Sequence, residues 1–322
     1  MKEDLTLVTM YYNLRKYENR TQHYYLLLPS ITYDMNINIV YFTESDFYDV
    51  IWKERQKRGL LDKTYIIVKE FSELKYYDSK DNLNKFFDNM PTYKRTSKDT
   101  INYMILVWNK IFFLEETINL NPFDTNYFGW IDFGLELRIK KFKPNPVENI
   151  FDKIKKKIRI CETSNCGLSD LDKFNFCDIK AHRTAGGIFT GNSYYMSKLI
   201  IYFKELITEI INNKKLALEE PLIWFIMKSH PEIFDQYYGW YDTLLINYDY
   251  YKCGKGQIIN VIYFYLLQKN YFKVVEICDE VIRSDLKYIT PRNFFDLFEM
   301  YCISHYFINR NSSKMHYMNF LT

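Results

Sequence analysis

"NIVYFTESDFYDVIWKERQKRGLLDKTYIIVKE", residues 38–70, decides the fold. Its two ends, "NIVYFTE" (38–44) and "TYIIVKE" (64–70), are short apolar runs rich in β-branched and aromatic residues, the pattern of strands buried on both faces. The middle, "ESDFYDVIWKERQKRG" (44–59), suits a helix and closes on Gly59. Upstream, "LTLVTMYY" (5–12) repeats the strand pattern and "LRKYENRTQHYYLLL" (14–28) the helical one. Strand–helix–strand–helix–strand implies right-handed crossovers and a parallel sheet. In such a sheet the ligand lies beyond the carboxyl ends of the strands, which places Thr9 to Tyr12 and Thr43–Glu44 to line a site.

A polar stretch (76–99) precedes a long helix, "DTINYMILVWNKIFFLEETINL" (99–120), with Asp99 expected as its N-cap. That helix is apolar on two opposite sides and is therefore expected to be buried on both. The chain then enters "NYFGWIDFGLEL" (126–137), a strand ending at Asp132. "KIRICE" (157–162) and "FNFCDIKAH" (174–182) read as further strands, "RTAGGIFTGN" (183–192) as a glycine-rich loop, and "SYYMSKLIIYFKELITEIINN" (193–213) as a helix. Another helix begins at "EEPLIWFIMKSH", with Pro221 in its first turn, where the missing N–H is harmless. After "CGKGQ" (253–257) the character changes to helices near 258–268, 270–284 and 291–307. The expected division is a catalytic α/β domain over 1–252 and a helical extension over 253–322.

Composition limits the function classes. The chain has 322 residues, 48% of them hydrophobic and 26% charged, and reads as globular throughout. A net charge of +3 gives no general attraction to nucleic acid, and the basic run "KIKKKIR" (153–159) is interleaved with isoleucine, as in an ordinary solvated element. No window is apolar enough to span a membrane, and the N-terminus lacks the pattern of a secretory signal, so the expected location is cytoplasmic. The six cysteines are then expected to be reduced. Cys161, Cys166, Cys177 and His182 make a C-x4-C-x10-C-x4-H series, which lacks the C-x2-C knuckle of structural zinc sites.

The candidate chemistry centres on Asp132. A carboxylate at the carboxyl end of a central strand can hold a divalent cation, and that cation can neutralise nucleotide phosphates. Gly129 and Gly134 beside it leave room for a ligand. The bland alternative is a turn aspartate bonded to local N–H groups. Lys110 points from an apolar helix face and needs an anionic partner or a route to solvent; replacing it by Met is expected to spare stability. Gly186, Gly187 and Gly191 would let backbone N–H groups approach a hydroxylated ligand, although a plain strand-to-helix turn explains them too. Glu219 and Glu220 open a helix, where the dipole favours their ionised form, as it does for ordinary acidic helix starts. "DQYYGWYDTLL" (235–245) offers Tyr237, Tyr238, Trp240 and Tyr241 as faces for a sugar or as core.

"TLVTMYY", "VYFTE", "KTYIIV", "NYMILVWNKIFFLEETINLNPFDTNYFGWIDFG" and "AGGIFTGN", in that order over about residues 5–250, resemble the WlaTC/HtrL (YibB-like) family of bacterial proteins read as glycosyltransferases. The resemblance implies a GT-A-like fold, a mainly parallel Rossmann-type sheet flanked by helices, acting on a nucleotide-sugar donor and a glycan-type hydroxyl acceptor. It further implies a D-x-D motif holding Mn²⁺ or Mg²⁺ on the donor's diphosphate. By position Asp132 is the first acid and the metal ligand; the second position is Gly134, with Glu136 two residues beyond. On this footing Thr9, Thr43 and Arg55 are expected at the nucleotide, and Lys110 and Asp132 at the diphosphate. Gly186, Gly187 and Trp240 are expected at the acceptor, with Glu219 or Glu220 as base. Two rivals stay open: a non-catalytic sugar- or protein-binding module, and a metal-dependent nucleotidyltransferase or phosphoesterase.

Overall fold

The computed structural model describes residues 4–14, 30–88, 100–139, 147–163, 184–238, 241, 244–245, 248, 262, 265–266, 269–283 and 291–308. The chain divides into two compact units, Met1–Tyr250 and Tyr251–Thr322.

The first unit is a mixed α/β fold built on one seven-stranded sheet. The strands are β1 (Leu5–Tyr11), β2 (Asn38–Thr43), β3 (Thr64–Val68), β4 (Tyr127–Ile131), β5 (Ile158–Glu162), β6 (Thr184–Asn192) and β7 (Phe234–Tyr238), in the order β3-β2-β1-β4-β6-β5-β7. Pairing is parallel throughout except where β6 runs antiparallel between β4 and β5. The mainly parallel, helix-flanked sheet implied by the opening residues is therefore what the chain forms.

The strands read as continuous apolar runs because both faces are covered. Alternate residues divide between two cores. Val8, Val40, Phe42, Phe128, Trp130, Ile160 and Phe189 pack on one face, against α3 (Ile101–Leu120), α4 (Ser193–Asn212) and α5 (Glu219–Ser229). Leu5, Leu7, Tyr11, Ile39, Tyr41 and Ile131 pack on the other, where Ile51 of α1 (Tyr48–Lys57) also lies. A further helix, α2 (Lys80–Asp88), sends Leu83 into the first core. α3 is buried along most of its length, as its two apolar sides require, and its N-cap is Thr100, whose side chain accepts from the Tyr103 N–H.

The chain builds β1, β2 and β3 outward in one direction and then returns through α3 to place β4 on the other side of β1. The β1–β4 boundary is thus a switch point, where open α/β sheets leave a crevice beyond the carboxyl ends of the strands. Asp132 is the first residue past β4 at that boundary.

Three expectations need correction. "RTAGGIFTGN" is no loop: residues 184–192 form the buried strand β6, joined to both β4 and β5. Its glycines serve close packing, since a Cβ on Gly191 would lie 3.2 Å from the Ile158 Cα. Gly129 leaves room for β6 rather than for a ligand; a Cβ there would sit 2.7 Å from the Phe189 carbonyl oxygen. The N-cap Thr100 stands where Asp99 was expected. The expected helix at 14–28 beyond Leu14, the expected strand at 174–182, Cys166, Cys177 and His182 lie outside the described residues.

Within the second unit, α6 (Tyr271–Arg283) packs on α7 (Pro291–Ile308). Val274, Ile277, Cys278, Leu297 and Met300 are buried, and the Tyr301 hydroxyl donates to Asp279. Among the described residues no helix is long and apolar enough to cross a membrane.

Candidate functional site

α3 carries Lys110 toward the carboxyl end of β4, and there the residues singled out from sequence meet. The Lys110 Nζ lies 2.9 Å from Asp132 Oδ1 and 2.7 Å from Glu219 Oε1. It also donates to the Gly186 carbonyl at 3.4 Å. Lys110 and Glu219 are each only 5% exposed at the side chain, whereas Asp132 is 40% exposed and forms the mouth of the cluster. The Trp130 indole Nε1–H donates to the same Oδ1 at 2.7 Å, and the Lys110 ammonium sits 5.5 Å from the Trp130 ring centre. Trp130 precedes Asp132 by two, so the period of a strand puts both on one face.

α5 begins at Glu219, so its first two residues enter the cluster from the positive end of a helix. They do different things. Glu219 faces Lys110. Glu220 accepts the Gly186 N–H at 2.8 Å and is held by the Tyr241 hydroxyl at 2.6 and 2.7 Å from its two oxygens. The Gly187 carbonyl accepts the Asp132 N–H at 2.8 Å, which ties β6 to the aspartate's own backbone. Both glycines bring the β6 backbone close to the acids: a Cβ on Gly186 would lie 3.3 Å from Glu219 Oε1, and one on Gly187 3.6 Å from Asp132 Oδ2.

The electrostatics follow from one ammonium among three carboxylates. Burial by itself would lower the Lys110 pKa, but the Asp132 and Glu219 charges more than offset it and hold the ammonium firmly protonated. Burial pushes the Glu219 carboxyl up to about 7; Lys110 opposes this and Glu220 adds to it. Burial, reinforced by the Glu220 charge, raises the Tyr241 phenol, so it remains a donor at any ordinary pH.

The other sequence candidates fall elsewhere. Arg55 is fully buried and spends its guanidinium on the scaffold. It donates to the carbonyls of Thr32, Tyr33, Met35, Ile37 and Lys63 and to the Thr64 hydroxyl, tying the segment before β2 to the start of β3. With its donors so engaged it is not placed to contact a nucleotide. Thr9 and Thr43 are buried on strands beside the switch point, on the sheet face opposite Trp130. The Thr43 hydroxyl donates to the Tyr11 carbonyl. Trp240 lies outside the described residues.

Sequence reasoning gave Trp130 no role and took Tyr241 only as a face for a sugar or as core. The first could have been found from its i−2 relation to Asp132. The second is 21 residues from Glu220, and nothing in the sequence signalled that pairing.

For a metal the fit is narrow. Asp132 Oδ1 already receives Lys110 and Trp130, and Gly134 supplies no second acid. Among the described residues no three His, Cys, Asp or Glu side chains are grouped to hold an ion. What remains is Asp132 Oδ2 at the exposed mouth, a single oxygen. That suits a Mg²⁺-type cation arriving on a diphosphate, which needs only one or two carboxylates from the protein.

Residues 3–247 match the family described as "Bacterial protein of unknown function (HtrL_YibB)". The chain belongs to this family. The match takes in the whole sheet and the cluster around Asp132, and ends before the second unit. No curated protein matches the sequence. Among solved structures, the chain is similar to mouse xyloside xylosyltransferase 1 in its apo form, at 13% identity, covering 72% of this chain and 84% of that chain, with a TM-score of 0.36.

Proposed function

We propose that this HtrL_YibB member is a glycosyltransferase that moves a sugar from a nucleotide-sugar donor to a hydroxyl of a glycan-type acceptor. The observation that carries the reading is the position of Asp132: a half-exposed carboxylate one residue past β4, at the switch point of the sheet, backed by a buried Lys110–Glu219 pair.

Asp132 Oδ2 would hold a Mn²⁺ or Mg²⁺ ion carried on the donor diphosphate, which supplies charge neutralisation for the leaving group. Every other task falls to the chain itself. Trp130 and Lys110 fix the Asp132 carboxylate from behind through its Oδ1. Lys110 also holds Glu219, whose pKa near neutrality matches it to accept the proton of the acceptor hydroxyl as that oxygen bonds to the anomeric carbon. The bond from the anomeric carbon to the diphosphate oxygen breaks, and the nucleoside diphosphate leaves. Glu220, bound to Gly186 and Tyr241, is engaged in positioning rather than in proton transfer.

Many transferases hydrolyse their donor slowly when no acceptor is present, because water can take the acceptor's place. The purified chain is expected to release nucleoside diphosphate from at least one of a panel of uridine and guanosine diphosphate sugars with Mn²⁺ present. Release that persists undiminished in Asp132→Asn would remove the assignment.

A further inference from the structure

The segment following β7 reaches the cluster through the Tyr241 hydroxyl, which spans both Glu220 oxygens. Two carbonyls beyond Tyr241 are tied to strands of the sheet. The Tyr237 hydroxyl donates to the Leu244 carbonyl, and Arg159 donates from Nε to the Tyr248 carbonyl while lying 4.7 Å from the Tyr237 ring centre. Tyr241 therefore stands between β7 and two carbonyls that β7 and β5 hold.

From Glu220 the chain of contacts runs inward. Glu220 holds the Gly186 N–H; the Gly186 carbonyl receives Lys110; and the next carbonyl, that of Gly187, receives the Asp132 N–H. Two consecutive glycines thus link Glu220 to both charged groups at the β4 end. The β5–β6 register shifts here, from Ile160 opposite Phe189 to Cys161 opposite Ala185, so Gly186 and Gly187 fall at an irregularity of that ladder, where Glu220 supplies a contact to the Gly186 N–H.

We infer that Tyr241 is a positioning residue, which acts through Glu220 and the Gly186–Gly187 backbone to set where Lys110 and the Asp132 carboxylate stand. Its bearing on catalysis rests on the roles proposed above for Asp132 and Lys110; its bearing on geometry does not. Tyr→Phe removes one hydroxyl and keeps the ring, so Tyr241→Phe takes that donor from both Glu220 oxygens with little change in packing.

The reporter is the Trp130 indole N–H, which donates to Asp132 Oδ1 and lies beside Lys110. In a ¹⁵N-labelled sample the five tryptophans give separable indole resonances, and Trp130→Phe identifies the one lost. Tyr241→Phe is expected to move the Trp130 resonance. Glu220→Ala is expected to move it at least as far, and adding Tyr241→Phe to Glu220→Ala to move it no further, since the hydroxyl acts through that carboxylate. The nucleoside diphosphate affinity should fall several-fold in Tyr241→Phe.

A Trp130 resonance that stays in place in Tyr241→Phe overturns the inference, and so do additive shifts in the double variant. Both readings are taken without ligand. A shifted resonance in a protein that binds no nucleotide would leave Tyr241's positioning role standing and remove only the transferase reading.

Discussion

Replacing Lys110 by methionine is expected to destabilise the first unit by about 3 kcal/mol at pH 8, the usual consequence of removing one partner from a buried charge cluster. The loss leaves the Glu219 carboxylate, 5% exposed, without its ammonium and takes one of two donors from Asp132. The cost should shrink as pH falls, because an unpaired buried carboxyl takes up a proton and becomes neutral. At pH 8 the melting temperature should drop by roughly 6–12 °C on the scaling for domains of this size. Thermal unfolding followed at pH 8 and pH 5.5 checks both parts. An unchanged melting temperature at pH 8 would show that the cluster is not held by its ammonium.

Glu219→Gln is expected to lower kcat about 10³-fold with donor affinity intact, as for removal of a general base. Glu220→Gln keeps an acceptor oxygen for Gly186 or Tyr241 and should cost less than about tenfold on the same scale. Because burial raises Glu219 to about 7, kcat should climb as pH rises through neutrality in the wild type and lose that limb in Glu219→Gln. Stability should run the other way. The folded chain keeps a proton on Glu219 that the unfolded chain releases near the ordinary carboxylate value. This contribution is full below that value and is lost as pH rises through about 7. Steady-state rates and urea midpoints across pH 5–9 measure the two limbs. Equal, small effects from both glutamine variants would reduce the pair to helix-start residues.

The parts legible in the sequence are those whose physics is local. β1, β2 and β3 announced themselves as short runs of β-branched and aromatic residues, and α3 as a helix apolar on two sides. Asp132 and Lys110 stood out because each is a charge in an apolar run, and the structure brings them to 2.9 Å. The parts that misled depend on distant chain. β6 looked like a loop because its glycines lower strand propensity, while the reasons for them, Glu219, Glu220 and the Ile158 backbone, come from other elements. Arg55 looked free for a ligand because backbone carbonyls, its actual partners, leave no mark on residue type. Lys110 looked dispensable for stability because the burial of Glu219 opposite it was not visible. Tyr241 meets Glu220 through tertiary structure past the end of β7, and that pairing leaves no local mark in the sequence.

The central claim is that Asp132 serves a nucleoside diphosphate with a bound cation, and ligand-induced stabilisation tests it without knowledge of the sugar or the acceptor. A ligand at a hundred times its Kd stabilises the folded state by about 2.7 kcal/mol. At the scaling above that is a rise of several degrees in melting temperature. The account predicts such a rise with uridine or guanosine diphosphate plus Mn²⁺, a smaller rise without metal, little with the nucleoside, and loss of the metal-dependent part in Asp132→Asn. No rise with either diphosphate in the presence of metal, or an equal rise in Asp132→Asn, would contradict it.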